Sequence, residues 1–141
     1  MWRKLKNIFL SFKSYHLLSP DLRMRRRVNR ALRDRPTLTV DEWFESFWQP
    51  QGISKDVACF VYIQLEKYSG LKFGRVLPSD HLHEDLQWTS VCWFDWDLML
   101  YKDFWHRFGI DISDDYEFDT LCTVEELMTF LNRQLLLVQS S

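Results

Sequence analysis

The stretch SKDVACFVYIQLEKYSG, residues 54–70, constrains the fold more than any other part of the chain. Its apolar residues Val57, Phe60, Val61, Leu65 and Tyr68 recur at steps of three and four, which places them on one face of a helix. Ser54 supplies the side-chain oxygen that caps a first turn, and Gly70 stands where a helix stops. A helix with one apolar stripe must bury that stripe against other elements, so the question becomes what else the chain forms.

The remaining segments also read as helices. TVDE pairs Thr39 with Glu42 as a capping box that opens a short helix, DEWFESFW, closed by Gln49-Pro50-Gln51-Gly52. From Leu71 to Trp88 no period is sustained, and Gly74, Pro78, Ser79 and Asp80 mark a long loop. VCWFDWDLMLYKDFWHRFG then carries Phe94, Leu98, Tyr101, Trp105 and Phe108 at helical spacing and ends at Gly109. An acid-dense loop, IDISDDYEFDTLC, leads to TVEELMTFLNRQLLLV, where Thr123 and Glu126 repeat the capping box and Val124, Leu127, Leu131 and Leu135 share a face. Neither β alternation nor a βαβ rhythm competes, so the expected class is all-α, a bundle of four to five short helices. With 46% hydrophobic and 16% aromatic residues, 141 residues can fill a core.

Charge divides the chain. Residues 1–35 hold eleven Lys/Arg against Asp21 and Asp34, a net +9, whereas residues 36–141 carry −11. The expected organisation is a basic helical N-terminal arm, 1–36, and an acidic domain, 37–141. Within the arm, Trp2, Leu5, Ile8, Phe9 and Phe12 fit an amphipathic helix over 2–13. After the break at Ser19-Pro20-Asp21, a second helix is expected over about 21–34, with Leu22, Met24, Val28, Ala31 and Leu32 on its apolar side. The cluster Arg25, Arg26, Arg27 and Arg30 suits an acidic surface, whether the chain's own domain, a nucleic acid or an anionic membrane.

Several classes are set aside. Cys59, Cys92 and Cys122 lie in apolar settings, without the pairing of a disulfide framework or the spacing of a zinc site, and are expected to be reduced, buried thiols of a cytoplasmic protein. His81 and His83, two apart on a loop, define no metal site by themselves. No apolar run approaches the roughly 20 residues of a membrane span, and the start of the chain lacks the features of a signal peptide. Asp95, Asp97 and Asp103 have no histidine or nucleophile tied to them, and no glycine-rich phosphate loop exists, so no catalytic residues are assigned and the chain is not expected to be an enzyme.

Residues 54–131 resemble the acyl carrier protein family. A first helix is followed by VLPSDHLHEDL, similar to the proline-and-aspartate loop of carriers, and FGIDISDDYEFDTLCTVEELMTFL resembles their ending. The resemblance implies an acidic helix that docks on basic faces of partner proteins and, in true carriers, 4'-phosphopantetheine on the serine of a DSL motif. By position that serine is Ser90, with Gln87, Thr89 and Val91 where the family has glycine, aspartate and leucine. Counted backwards from Phe108, the serine position instead falls near Phe94, and FDWDL is similar to small bacterial carrier-like proteins with closely spaced aspartates in place of the serine.

The resulting expectation is a carrier-like interaction module without cofactor, docking through Asp95, Asp97 and Asp103 with Trp93 and Trp96 as aromatic anchors. The alternatives are a true carrier loaded on Ser90, and nucleic-acid or membrane-surface binding through the arm.

Overall fold

The computed structural model describes residues 19–139. The helix expected over 2–13 lies outside them. Among the described residues there is no strand; the only ladder-type pairing is an isolated antiparallel bridge between His81 and Thr123. The described residues form six α-helices in order: α1, Leu22–Ala31; α2, Val40–Trp43; α3, Lys55–Ser69; α4, Trp88–Val91; α5, Trp96–Phe108; α6, Val124–Gln139.

The capping box of α2 is complete. Glu42 N–H donates to Thr39 Oγ1 at 3.2 Å, and Glu42 Oε1 accepts from Thr39 N–H at 2.9 Å. These bonds hold the Glu42 carboxyl below the usual carboxylate range. The helix does not continue regularly to Trp48 as DEWFESFW suggests: Phe44–Trp48 form a π turn, followed by a 3₁₀ turn at Gln49–Gln51. The cause lies in two tryptophans five positions apart, which a regular α-helix would point about 140° away from each other. The wider turn, with Gln49 N–H donating to the Phe44 carbonyl, carries both indoles into the core. Trp43 and Trp48 are fully buried with ring centroids 5.3 Å apart, edge to face, and Trp43 Nε1 donates to the Val76 carbonyl at 2.9 Å.

α3 is the centre of the bundle. Ser54 Oγ accepts from Asp56 N–H, Gly70 ends the helix at φ 71°, and the expected face of Val57, Phe60, Val61, Leu65 and Tyr68 is buried. The loop that follows is drawn inward at Gly74, whose carbonyl accepts from Leu38 N–H at 3.0 Å. A Cβ at Gly74 would lie 2.3 Å from the Leu38 carbonyl oxygen, so this approach requires glycine.

The segment expected as one helix from Val91 to Phe108 is divided. Gln87 adopts a left-handed backbone at φ 54°, and Cys92 is extended at ψ 162°, so α4 closes after a single turn and α5 starts anew at Trp96. The buried side of α5 is Asp97, Leu100 and Phe104, displaced by about one position from the stripe read in the sequence, and Trp105 is 54% exposed. In α6, Val124, Leu127, Met128, Phe130 and Leu131 are buried, and Asn132 Oδ1 accepts from Ser54 N–H, joining α6 to the start of α3. Cys92 is buried and Cys59 half-buried, but Cys122 is exposed, unlike the expectation for it.

The arginine-rich helix packs against this bundle. Asp21 caps α1 by accepting from Arg23 and Met24 N–H, and Val28 and Leu32 are buried in the common core, while Leu22 and Ala31 face solvent against the expected apolar side. Arg25 Nε donates to the Val91 carbonyl at 2.7 Å, and its Nη2 donates to the Tyr68 carbonyl at 3.2 Å. Asn29 donates to the Gly70 carbonyl and accepts from Lys72 N–H. Those carbonyls lie where α3 and α4 end, the positions helices leave unpaired, and a cation there also meets the negative end of each helix dipole. Beyond α1, Arg35 makes a two-pronged contact with buried Asp80 at 2.7 and 3.1 Å and donates to the Arg75 carbonyl.

Candidate docking site at the start of α5

The turn from Trp88 to Asp97 is fixed from three sides. Leu82 N–H donates to the Cys122 carbonyl and Trp88 N–H to the Leu82 carbonyl, each at 2.8 Å, which ties the long loop to both the acidic loop and α4. Ser90 N–H donates to the Gln87 carbonyl, and the Ser90 carbonyl accepts from Asp21 N–H at 2.8 Å, so the entrance to α1 lies across the turn. Trp88 is fully buried and meets Trp96 edge to face, with centroids 5.6 Å apart and planes at 90°. Trp96 in turn lies 5.7 Å from Phe118 of the acidic loop. Aromatic contacts in these arrangements add to the stabilisation from burial, so the three rings place the start of α5 firmly.

A partly enclosed cavity of about 160 Å³ opens beside these rings. Its apolar lining includes Leu82, Trp96, Phe118 and Leu127, and its polar lining includes Asp97, Asp119 and His83. Asp97 is only 7% exposed, and its Oδ1 accepts from Leu98 N–H at 2.9 Å. The negative character of the lining registers on Tyr101, whose phenol is pushed up first by burial and then by Asp97, Asp119 and Asp115. An apolar lining together with two carboxylates is suited to a cationic side chain, whose charge meets the acids and the ring faces while its hydrocarbon stem meets the apolar lining.

Trp93, Asp95, Trp96 and Asp97 come together within this turn. Asp95 precedes α5 without capping it, and Trp93 is half-buried. Asp103 does not join them: it sits two turns along α5 and accepts a hydrogen bond from the Tyr68 hydroxyl, whose pKa burial and this contact raise. Ser90 lines a separate surface groove with residues 19–23 and with Thr89, which borders both hollows. Asp85, five positions earlier, accepts from His81 N–H inside its own turn, and Asp21, a carboxylate of the groove, caps α1.

Of the basic cluster, Arg26, Arg27 and Arg30 are exposed, whereas Arg25 is turned inward. Arg23, outside the expected set, takes its place on the outer surface. Phe118 and Asp119 were missed by the sequence reading; the available signal was an aromatic residue within an otherwise acidic loop, a pattern with no period to fix its direction. Among the described residues, no group of three or more His, Cys, Asp or Glu is arranged to hold a metal ion, and no helix is long and apolar enough to cross a membrane. Compared with protein-family models, with curated proteins and with solved structures, the chain matches none.

Proposed function

We propose that the protein is a non-catalytic, acyl-carrier-like interaction module that docks on a basic face of a partner protein through the cavity at the start of α5. The observation that carries this is one cavity lined by the rings of Trp96 and Phe118 together with the carboxylates of Asp97 and Asp119. An Arg or Lys side chain of the partner enters this cavity, and Trp93 and Asp95 border the contact from the same turn. Further support comes from the order of elements, in which a central helix, a long loop, α5, a short turn and a last capped helix follow as they do in the family the sequence resembles. With Gln87, Thr89 and Val91 where carriers have glycine, aspartate and leucine, Ser90 serves in this reading as part of the turn, and the protein acts without 4'-phosphopantetheine.

Two measurements test this. The intact mass of protein produced together with a phosphopantetheinyl transferase remains that of the bare chain; a gain of one phosphopantetheine group, absent in Ser90→Ala, would make the protein a true carrier. Titration with a helical peptide bearing Arg along one face quenches or shifts tryptophan fluorescence, and Asp119→Asn weakens that binding about tenfold, the loss of roughly 1.4 kcal/mol. Equal affinity of the variant and the unaltered protein would remove the cavity as the docking point.

A further inference from the structure

The structure sorts the arginines of α1 into two sets. Val28 and Leu32 point to the core, and Arg25 joins them with its guanidinium bonded to two backbone carbonyls. Arg23, Arg26, Arg27 and Arg30 occupy positions i, i+3, i+4 and i+7, the spacing that places side chains along one helical face, and all four are exposed. The face spans about 10 Å from Arg23 to Arg30 at 1.5 Å per residue. Because Val28, Leu32, Arg25, Asn29 and Arg35 anchor the other side of this segment, the four guanidiniums project from a fixed ridge.

From this placement we infer that the outer face of α1 binds the phosphate backbone of double-stranded nucleic acid without reading its sequence. The cations are all arginine, whose planar fork pairs with two phosphate oxygens at once. A convex helical ridge fits the major groove of B-form DNA, which at about 12 Å admits a helix, and can lie along the phosphates that border the wide minor groove of an RNA duplex. No aromatic side chain stands on the face to stack an unpaired base, so single strands are not its ligand. The amide suited to reading adenine, Asn29, is engaged with Gly70 and Lys72, which leaves contacts of charge alone. A lipid surface would require large apolar residues beside the charges, and α1 offers only Leu22, 60% exposed at the edge, and the small Ala31. The net −11 of residues 36–141 repels a polyanion, so α1 approaches it first.

The test is fluorescence anisotropy of the full chain with labelled 20-base-pair DNA and RNA duplexes, of roughly two helical turns each, between about 50 and 200 mM salt. Four phosphate contacts give a contribution of about −3.6 to the slope of log K against log salt. The variant R23Q/R26Q/R27Q/R30Q loses that part of the slope and at least tenfold in affinity at the lowest salt. Its circular-dichroism spectrum stays unchanged and its Tm does not fall, since none of the four is buried. Arg25→Gln, by contrast, lowers Tm and leaves the slope as it was. The bases Arg3, Lys4, Lys6 and Lys13 remain in every variant, so any binding by them cancels in the comparison. Absence of duplex binding, an unchanged slope in the fourfold variant, or arginine-dependent binding to phosphatidylserine vesicles in preference to duplex would overturn the proposal.

Discussion

Helices α1 and α3 begin alike and are held differently. Both are capped by a side-chain oxygen, from Asp21 and Ser54, and both turn one side to the same core. Over 15 residues α3 buries Val57, Ala58, Phe60, Val61, Leu65, Tyr68 and Ser69; over 10 residues α1 buries Val28, with Leu32 just past its end. What α1 lacks in hydrocarbon it makes up in polar side chains: Arg25 and Asn29 bond the carbonyls at the ends of α3 and α4, and Arg35 bonds Arg75 and Asp80. A helix of mean hydropathy far below that of its neighbours can therefore be integrated where other helices end, because their terminal carbonyls need donors. The same arrangement frees its other side to carry charge.

Removing α1 has the largest expected effect. A chain starting at Thr37 loses Val28 and Leu32, each worth about 1.5–3 kcal/mol when buried, and leaves Asp80 without its guanidinium partner. It remains helical and melts cooperatively, with a Tm lower by roughly 15 °C. An unchanged Tm would reduce α1 to an attached arm, and loss of the cooperative transition would make it part of the folding unit; calorimetry separates these outcomes.

Within α3 a single substitution approaches that effect. Leu65 is fully buried at the centre of the bundle, and Leu65→Ala should cost about 3 kcal/mol through lost transfer energy and the cavity left behind. Val28→Ala, at the thinner contact of α1, should cost less, about 1–2 kcal/mol. Equal costs in denaturant unfolding would erase the distinction between the two helices.

The sequence exposed these helices unequally, for reasons that follow from the same comparison. Caps and stops were legible because they act within three or four residues: Ser54, Thr39 with Glu42, Gly70 and Gly109 all serve as read. The face of α3 was legible because its period is unbroken. That of α5 was not, since it has aromatic residues nearly all round, and only the packing of Phe104 against Phe60 selects which of them turn inward. The π turn at Phe44 required knowing that both Trp43 and Trp48 are buried. In the candidate site, Trp93, Asp95, Trp96 and Asp97 were found as neighbours in sequence, but Phe118 and Asp119 arrive from a loop more than twenty residues away, across a ring contact that no spacing announces. Likewise, a run of arginines gives no sign of which one will meet the ends of α3 and α4.

The smallest effect separates those arginines one at a time. Arg25→Ala removes two hydrogen bonds from a charged donor and leaves the Val91 and Tyr68 carbonyls without it, in a half-buried position, at an expected cost of about 1–3 kcal/mol. Arg27→Ala, two positions on, removes an exposed side chain with no partner among the described residues and should change stability by less than about 0.5 kcal/mol. Salt sharpens the contrast. Neighbouring exposed guanidiniums repel one another over a Debye length of about 10 Å at 0.1 M, so Arg27→Ala should be slightly stabilising at low salt and neutral at high salt. The cost of Arg25→Ala should persist at both, because its bonds are short, directional and shielded by the ends of α3 and α4. If the two substitutions proved equal at every salt concentration, the division of α1 into an anchoring side and a charged side would fall, and with it the reason for expecting the outer arginines to be held ready for a partner.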